Sequence, residues 1–442
     1  MAAEPFTFDP KLLITGPFHP CPRCGKVQLG TLSVSDNVHA RRCRSCFHDE
    51  REPLPPLDKK LIYLDQMVLS QIAKKLDPVW RREKPHTDDF WLEAFCRIDR
   101  LVKLQLIVCP DSPIHEVESS FLEPYEPALR RLYKHLASGV SLRFPHEVLS
   151  AQLHEAFDAW FADRDPDWSR ITRDDVIRGR LDRWSDRLLL TVNMGHLPGQ
   201  IEGRCESRAR GHEALQRLWK QWTAEEGASF DDFFRRERRG LADTALQSFM
   251  IQVQRWQRAV TNVTELADPG RLMPGWRVLL VTRLLNRLEE SEVPREDLLE
   301  EAASFLYSEQ AMCAPENHLA ALLYASLAWR AASGQKRVPS QGTPNDIDFI
   351  SAYLPYCDAM FIDNEFAQLL SEGRLAEAVS SFPTRIFSAR SRDDFLAYLT
   401  EVEERADSAH VDLVTRTYGE KWTEPYRSIL EHERGKGTRD RL

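Results

Sequence analysis

Long hydrophobic runs are missing from this 442-residue chain: no stretch approaches the roughly 18 uninterrupted apolar residues of a membrane span. The apolar segment from His318 to Trp329 is too short, and Leu279 to Leu288 is broken by Arg283 and Arg287. The start, Met1-Ala-Ala-Glu-Pro5, has neither basic residues nor an apolar leader core, so secretion is not expected. Together these absences predict a soluble, cytoplasmic protein without a membrane partner. Positive charge is also short. With 59 Lys and Arg against 68 Asp and Glu the net charge is −9, which argues against a nonspecific polyanion binder while leaving room for local basic faces. A phosphate-binding glycine loop is lacking too, because Gly435-Lys-Gly-Thr438 has neither the spacing nor a preceding strand. No fixed repeat period appears. The nine cysteines are odd in number and follow no leader, so a disulfide framework is not expected, and no histidine is placed to serve a cysteine nucleophile.

What the chain does contain is 42% hydrophobic and 10% aromatic residues, enough to build cores for two or three domains. The cysteines carry the first specific signal. Cys21-Pro-Arg-Cys24 and Cys43-Arg-Ser-Cys46 form two C-x-x-C knuckles eighteen residues apart, with Gly25 free to make a tight turn. Four thiolates at this spacing suit a closed tetrahedral Zn²⁺ site, which would hold together a segment too small for its own core. His19, His39 and His48 are alternative ligands. Arg23, Lys26, Arg41, Arg42 and Arg44 surround the knuckles, as a rim for nucleic acid or as a solvated face. Glu52-Pro-Leu-Pro-Pro56 then breaks the chain, so residues 1–56 read as a zinc ribbon with a proline-rich linker.

Two apolar strands ending in acid come next. Leu61-Ile-Tyr-Leu64 runs into Asp65 and a helical pattern; far downstream, Ala359-Met-Phe-Ile362 runs into Asp363. Leu104 to Cys109 is a third strand, followed by a helix start with Ser112 as cap, Pro113 in its first position and Glu116 in its first turn. Thr343 as cap and Pro344 predict a helix to Pro355 that carries Asp346 and Asp348. Thr384 to Ser388 is a further strand candidate and Asp393 to Arg405 an amphipathic helix. Ligands in open α/β sheets collect outside the carboxyl ends of the strands, where these acids lie.

In this order, strand-Asp, strand-then-Glu, helix-with-Asp, strand-Asp, the chain resembles the PIN-like metal-dependent nuclease superfamily, and Asp363-Asn-Glu-Phe366 resembles its terminal Asp-x-x-Phe. The resemblance implies an acidic quartet of Asp65, Glu116, Asp346 and Asp363 holding Mg²⁺ or Mn²⁺ for phosphodiester hydrolysis. RNA is the expected substrate, and toxin or defence effectors restrained by a protein partner are among the proteins it brings to mind. Asp348 is a further metal ligand or a substitute for Asp346, and Glu118 a substitute for Glu116. Asp358 is a neighbouring acid or a turn cap, with His115 and Asn345 as helpers. About 230 residues separate Glu116 from Asp346, far more than a compact domain of this kind needs. The expected architecture is therefore an α/β, PIN-like parallel-sheet domain in two pieces, residues 57–120 and 338–442, interrupted by an all-helical insertion at 121–337. Within the insertion the stripe Ala242, Ala245, Leu246, Phe249, Val253 is core, and arginine runs such as Arg235 to Arg239 are solvated faces or phosphate contacts. The competing reading is a non-catalytic nucleic-acid or protein adaptor in which ribbon and helices act and the α/β unit is scaffold.

Overall fold

The computed structural model describes residues 9–83, 88–119, 126–186, 200–225, 227–261 and 272–430. Leu197-Pro-Gly199 and Asp268-Pro-Gly270, whose Pro-Gly pairs predict breaks between the helices of the middle, lie outside them, as do the insertion's start at Phe121, the tail from Gly435 and the Cys205 side chain. Among the described residues no helix is long and apolar enough to cross a membrane.

Four antiparallel strands, β1 (Thr15–Pro20), β2 (Val27–Ser35), β3 (Val38–Cys43) and β4 (Asp49–Pro53), form the amino-terminal sheet in sequence order. Its own core is small, Leu29 packed between Cys21 and Cys43, so its far end leans on the rest of the chain. There Val34 and Leu54 join Trp184, Val414 and Tyr418, and the Thr31 hydroxyl donates to the Thr417 carbonyl at 3.2 Å.

A second, parallel sheet contains β5 (Lys60–Leu64), β6 (Ile107–Val108), β7 (Ala359–Phe361) and β8 (Arg385–Phe387) in the order β8-β7-β5-β6. Strands separated by some 300 residues thus share one sheet: Leu64 pairs with Phe361, and the Asp65 N–H donates to the Phe361 carbonyl at 3.0 Å. The near-continuous apolar strands are explained by burial on both faces. Leu61, Tyr63, Met360 and Ile362 point to one side, against helices from the middle of the chain. Ile62, Leu64, Ala359 and Phe361 point to the other, against α1 (Gln66–Leu76), α2 (Phe90–Lys103) and the late helix Arg392–Glu404. Period-two side-chain alternation thus divides each short strand between two cores.

The middle is helical with two departures from expectation. The helix Glu126–Ala137 puts Leu129, Leu132, Tyr133 and Leu136 into the second core, so it belongs to the α/β layer rather than to a separate insertion. A short antiparallel ladder pairs Ser141–Leu142 with Ile177–Arg178, and Ser141 bridges Asp111 just past β6. The remaining helices used below are α3 (Pro113–Ser119), α4 (Glu126–Ala137), α5 (Pro145–Phe161), α6 (Gln200–Ala224), α7 (Phe230–Thr261), α8 (Trp276–Glu290), α9 (Leu298–Leu306), α10 (Pro315–Ala332), α11 (Thr343–Tyr353) and α12 (Asn364–Leu370). Thr343 is the first residue of α11, with Gly342 in the cap position, one residue earlier than the capping pattern suggests.

Asp358 and Cys357 sit before β7, at the edge of the sheet opposite the strand-end acids, so Asp358 is neither a neighbour of the site nor its helper. Its carboxylate accepts from the Leu61 N–H at 2.8 Å and pairs with Lys60 at 3.2 Å and Arg173 at 2.9 Å. Charged hydrogen bonds of this kind are worth about 1–3 kcal/mol when lost. Asp358→Ala should therefore lower the thermal midpoint equally with and without Mn²⁺; a loss that disappears in Mn²⁺ would place this residue at the metal site instead.

Candidate active site

The strand order fixes where a site should be. From β5 the chain moves to β6 on one side and later to β7 and β8 on the other, so the order reverses between β5 and β7. That reversal opens a crevice at the carboxyl ends of the two strands. Asp65 follows β5 and begins α1; Asp363 follows β7 and begins α12, where its carboxylate accepts from the Phe366 N–H at 2.8 Å. Asp346, in the first turn of α11, hangs over the same crevice, and the three aspartates line one small cleft with Tyr63, Phe349, Ile350, Ile362 and Phe366. The volume open to a water centre there is about 10 Å³, room for about one water or ion.

A further acid acts on the cleft from α3. Burial first, then the Glu118 and Asp363 carboxylates, push Asp65 up to about 7, with the nearby Met67 and Gln66 amides offsetting only part. Tyr63 is likewise held well above its ordinary value by burial and then by the charges of Asp65, Tyr353, Glu118 and Asp346. Glu116, the residue expected from the order of motifs, is elsewhere: it is 42% exposed and pairs with Lys134 at 3.5 Å, in a network with the buried Asp111. The two glutamates are two residues apart on α3 and so point about 200° apart. Glu118, and not Glu116, is the glutamate whose charge bears on Asp65 and Tyr63, while neither is among the residues that line the small cleft. The same geometry separates Asp346 from Asp348. Asp348 faces a different cavity, where burial raises it to about 6 while Arg277 pulls it down, and it is not among the residues lining the Asp65 cleft. Asn345 lines that second cavity too.

His115 is a helper of position rather than of chemistry. It is 1% exposed, its Nε2 bonds the Leu64 carbonyl at 2.9 Å, and its Nδ1 accepts the Ser112 N–H at 3.2 Å. Burial pulls it down to about 4, so it is neutral near pH 7 with both nitrogens engaged. Stacked on Tyr63 at 5.9 Å, it pins the end of β5 to α3 one residue before Asp65. Gln66 adds a second tie, donating to the Ser119 hydroxyl at 3.1 Å. These ties were legible only as a pattern: His115, Glu118 and Ser119 share one helix face at offsets of three and four, which points them together at the strand end. Beside Asp363, the unexpected residues Asn364, Ser388, Arg390 and Ser391 line an open groove of about 560 Å³ along α12 and the end of β8.

The four knuckle cysteines converge independently. Their sulfurs all lie within 4.8 Å of one another, with Cys21–Cys46 at 3.6 Å and Cys24–Cys43 at 3.7 Å. Sulfurs of a tetrahedral zinc with ~2.3 Å bonds would be about 3.8 Å apart, so the group could hold a metal ion such as zinc. Each knuckle turns through a left-handed residue, Gly25 at φ 71° and Phe47 at φ 55°. Of the alternative ligands, His39 bonds the Thr31 hydroxyl at 2.8 Å and His48 pairs with Glu50 at 3.4 Å. The surrounding basic rim is partly engaged within the chain: Arg41 pairs with Glu50 and Glu52, Arg42 with Asp49, and Arg44 donates to the Ile14 carbonyl. The arginine run on α7 is engaged as well, Arg235 with Asp232, Arg236 with Glu225 and Arg238 with Glu309. Among the described residues the four cysteines are the only group whose donor atoms are already so close; the carboxylates of the cleft stand further apart.

Compared with protein families, curated proteins and solved structures, the chain matches none.

Proposed function

We propose that this chain is a PIN-like, metal-dependent nuclease, an endoribonuclease by resemblance, with the ribbon and the helical middle selecting substrate or partner. The observation that carries the reading is the pair of adjacent parallel strands that both end in aspartate where the strand order reverses, with Asp346 over the same cleft and Glu118 acting on Asp65. The donor set is all carboxylate, the chemistry that suits Mg²⁺ or Mn²⁺ rather than a softer metal. Asp65, Asp346, Asp363 and Glu118 would hold the ion, and a bound divalent cation would supply an activated water and neutralise phosphate charge. The chain's own contributions are more specific. Asp363 is fixed by its cap to α12, Asp65 is fixed by the β5–β7 pairing, and His115 and Gln66 hold Glu118's helix against the strand end. The groove from Asn364 to Arg390 offers hydroxyls and a guanidinium to a strand leaving the cleft.

The reading is tested by incubating the purified chain with labelled single-stranded and hairpin RNA in Mn²⁺. Cleavage is expected, and Glu118→Gln should reduce it by about 100-fold or more while Glu116→Gln leaves it within about twofold, since only the first removes a charge that acts on the cleft. No cleavage of RNA or DNA by the wild type, or the reverse order of the two glutamates, would overturn it.

A further inference from the structure

At the amino end of β5, the far end of that strand from Asp65, lies a cavity of about 590 Å³, within the range of small-molecule sites. Asp36 of the β2–β3 turn, Lys59 just before β5, Gln105 after α2, Gly139 after α4 and Ser185 all line it. Ribbon, sheet and middle therefore meet there. The ribbon's turn is fixed to the same wall: the Asn37 side chain donates to the Asp182 carbonyl at 3.0 Å and accepts from the Trp184 N–H at 3.0 Å.

Lys59 is out of keeping with these surroundings. It is 3% exposed, and lysine is buried to this degree almost only when paired. Among the described residues it has no ion pair, and of the three donors of an ammonium one is used, toward the Ser185 hydroxyl at a long 3.4 Å. Lys60, next in the chain, reaches the other way, to Asp358 at 3.2 Å. The other cations of the lining are taken: Lys103 and His135 hold Asp99, Arg180 holds Asp182, and Arg183 holds Asp36. Of the lining's two acids, Asp36 is thus engaged, and Asp186 is pushed up by burial and then by Asp36, with Arg183 opposing. Burial pulls Lys59 down to about 8, opposed by the charge of Asp182. The amine is still a cation near pH 7, buried beside open space with no counter-ion.

A buried charge in that state is costly until an opposite charge completes it. We propose that this cavity binds a small molecule through an oxyanion group, phosphate or carboxylate, that pairs with the Lys59 ammonium. A cavity of this volume takes more than a bare anion, so the oxyanion is the head of a larger ligand. Binding here does not rest on the nuclease reading, because the acidic cleft is at the other end of β5.

The test is calorimetric titration of the full, zinc-loaded chain with inorganic phosphate and with acetate, in buffer without Mg²⁺ or Mn²⁺, with chloride at matched ionic strength as the reference. One saturable site per chain is expected for at least one of the two, and the tighter anion names the head group. Lys59→Met keeps the length of the side chain and removes its charge, so it should weaken that anion about tenfold or more. Lys60→Met removes the same charge outside the cavity and should leave the affinity within about twofold. If Lys59→Met does not fold, Ser138→Asp decides: Ser138 lines the cavity with its backbone left-handed at φ 47°, a conformation aspartate tolerates. Its added carboxylate repels the ligand's, so binding should weaken about fivefold or more. No saturable binding of either anion up to millimolar concentration, binding that survives these cavity substitutions, or equal weakening by Lys60→Met would overturn the proposal.

Discussion

Asp65→Asn is expected to reduce Mn²⁺-dependent RNA cleavage on the order of 10³-fold and, in the metal-free protein at pH 8, to raise the thermal midpoint. The first effect follows from removing a ligand whose charge stabilisation is worth several kcal/mol, at ~1.4 kcal/mol per tenfold in rate. The second follows from linkage. In the metal-free fold Asp65 is raised from 3.8 to about 7 by burial, then by Glu118 and Asp363, so the folded state holds a proton that the unfolded chain releases. Stability from this group is therefore greatest below pH 4, falls as pH rises between about 4 and 7, and stays low above 7. At pH 8 the penalty is on the order of 2–4 kcal/mol. Asparagine keeps the shape and removes the charge. The pH slope of the wild type also contains other raised carboxyls, Asp348 and Glu237 among them, so the quantity to read is the difference between wild type and Asp65→Asn. A variant that keeps its activity and is destabilised at pH 8 would make Asp65 a structural cap and no more.

Cys43→Ser has the other large expected effect. Apart from the cysteines, the knuckle region buries only Leu29 between them, far too little apolar surface to order it, and structural zinc contributes about 10–16 kcal/mol in comparable peptides. With three thiolates the ribbon should lose its stoichiometric zinc and open residues up to about Pro53 to protease, while the parallel sheet, whose two cores contain none of the ribbon's residues, stays folded. Metal analysis and limited proteolysis read this directly. One zinc per chain retained by the variant, or a wild type that binds none under reducing conditions, would contradict it.

The strands and both aspartates at their ends were readable in the sequence because burial on two faces writes a continuous apolar run, and Leu61 to Leu64 and Ala359 to Ile362 are such runs. The knuckles were readable because ligand spacing is local. Side-chain direction on helices was harder. Glu116 suited a helix start and Asp348 an acidic pair, yet two residues of helix turn each of them away from the cleft, Glu116 onto Lys134 and Asp348 toward Arg277. The face could have been set by His115 and Ser119, but only by knowing that they touch Leu64 and Gln66, partners some 50 residues earlier. Asp358 deceived for a related reason: three apolar residues of β7 place it and Asp363, five positions apart in sequence, at opposite edges of the sheet. Nothing local marked helix α4 as part of the sheet's core, since its packing against α1, α2 and α3, in the cluster that also holds Ile62 and Leu64, is a tertiary fact.

On the reading proposed above, the cleft between β5 and β7 would hold one divalent ion on Asp65, Glu118, Asp346 and Asp363. The most direct test of that reading is Mn²⁺ titration of the zinc-loaded protein at pH 8, followed by calorimetry, for the wild type and for Asp65→Asn, Glu118→Gln and Glu116→Gln. One site per chain is expected in the wild type and in Glu116→Gln, with binding at least about tenfold weaker in the other two. A wild type that takes up no Mn²⁺, or Mn²⁺ bound equally well by Asp65→Asn, would contradict it.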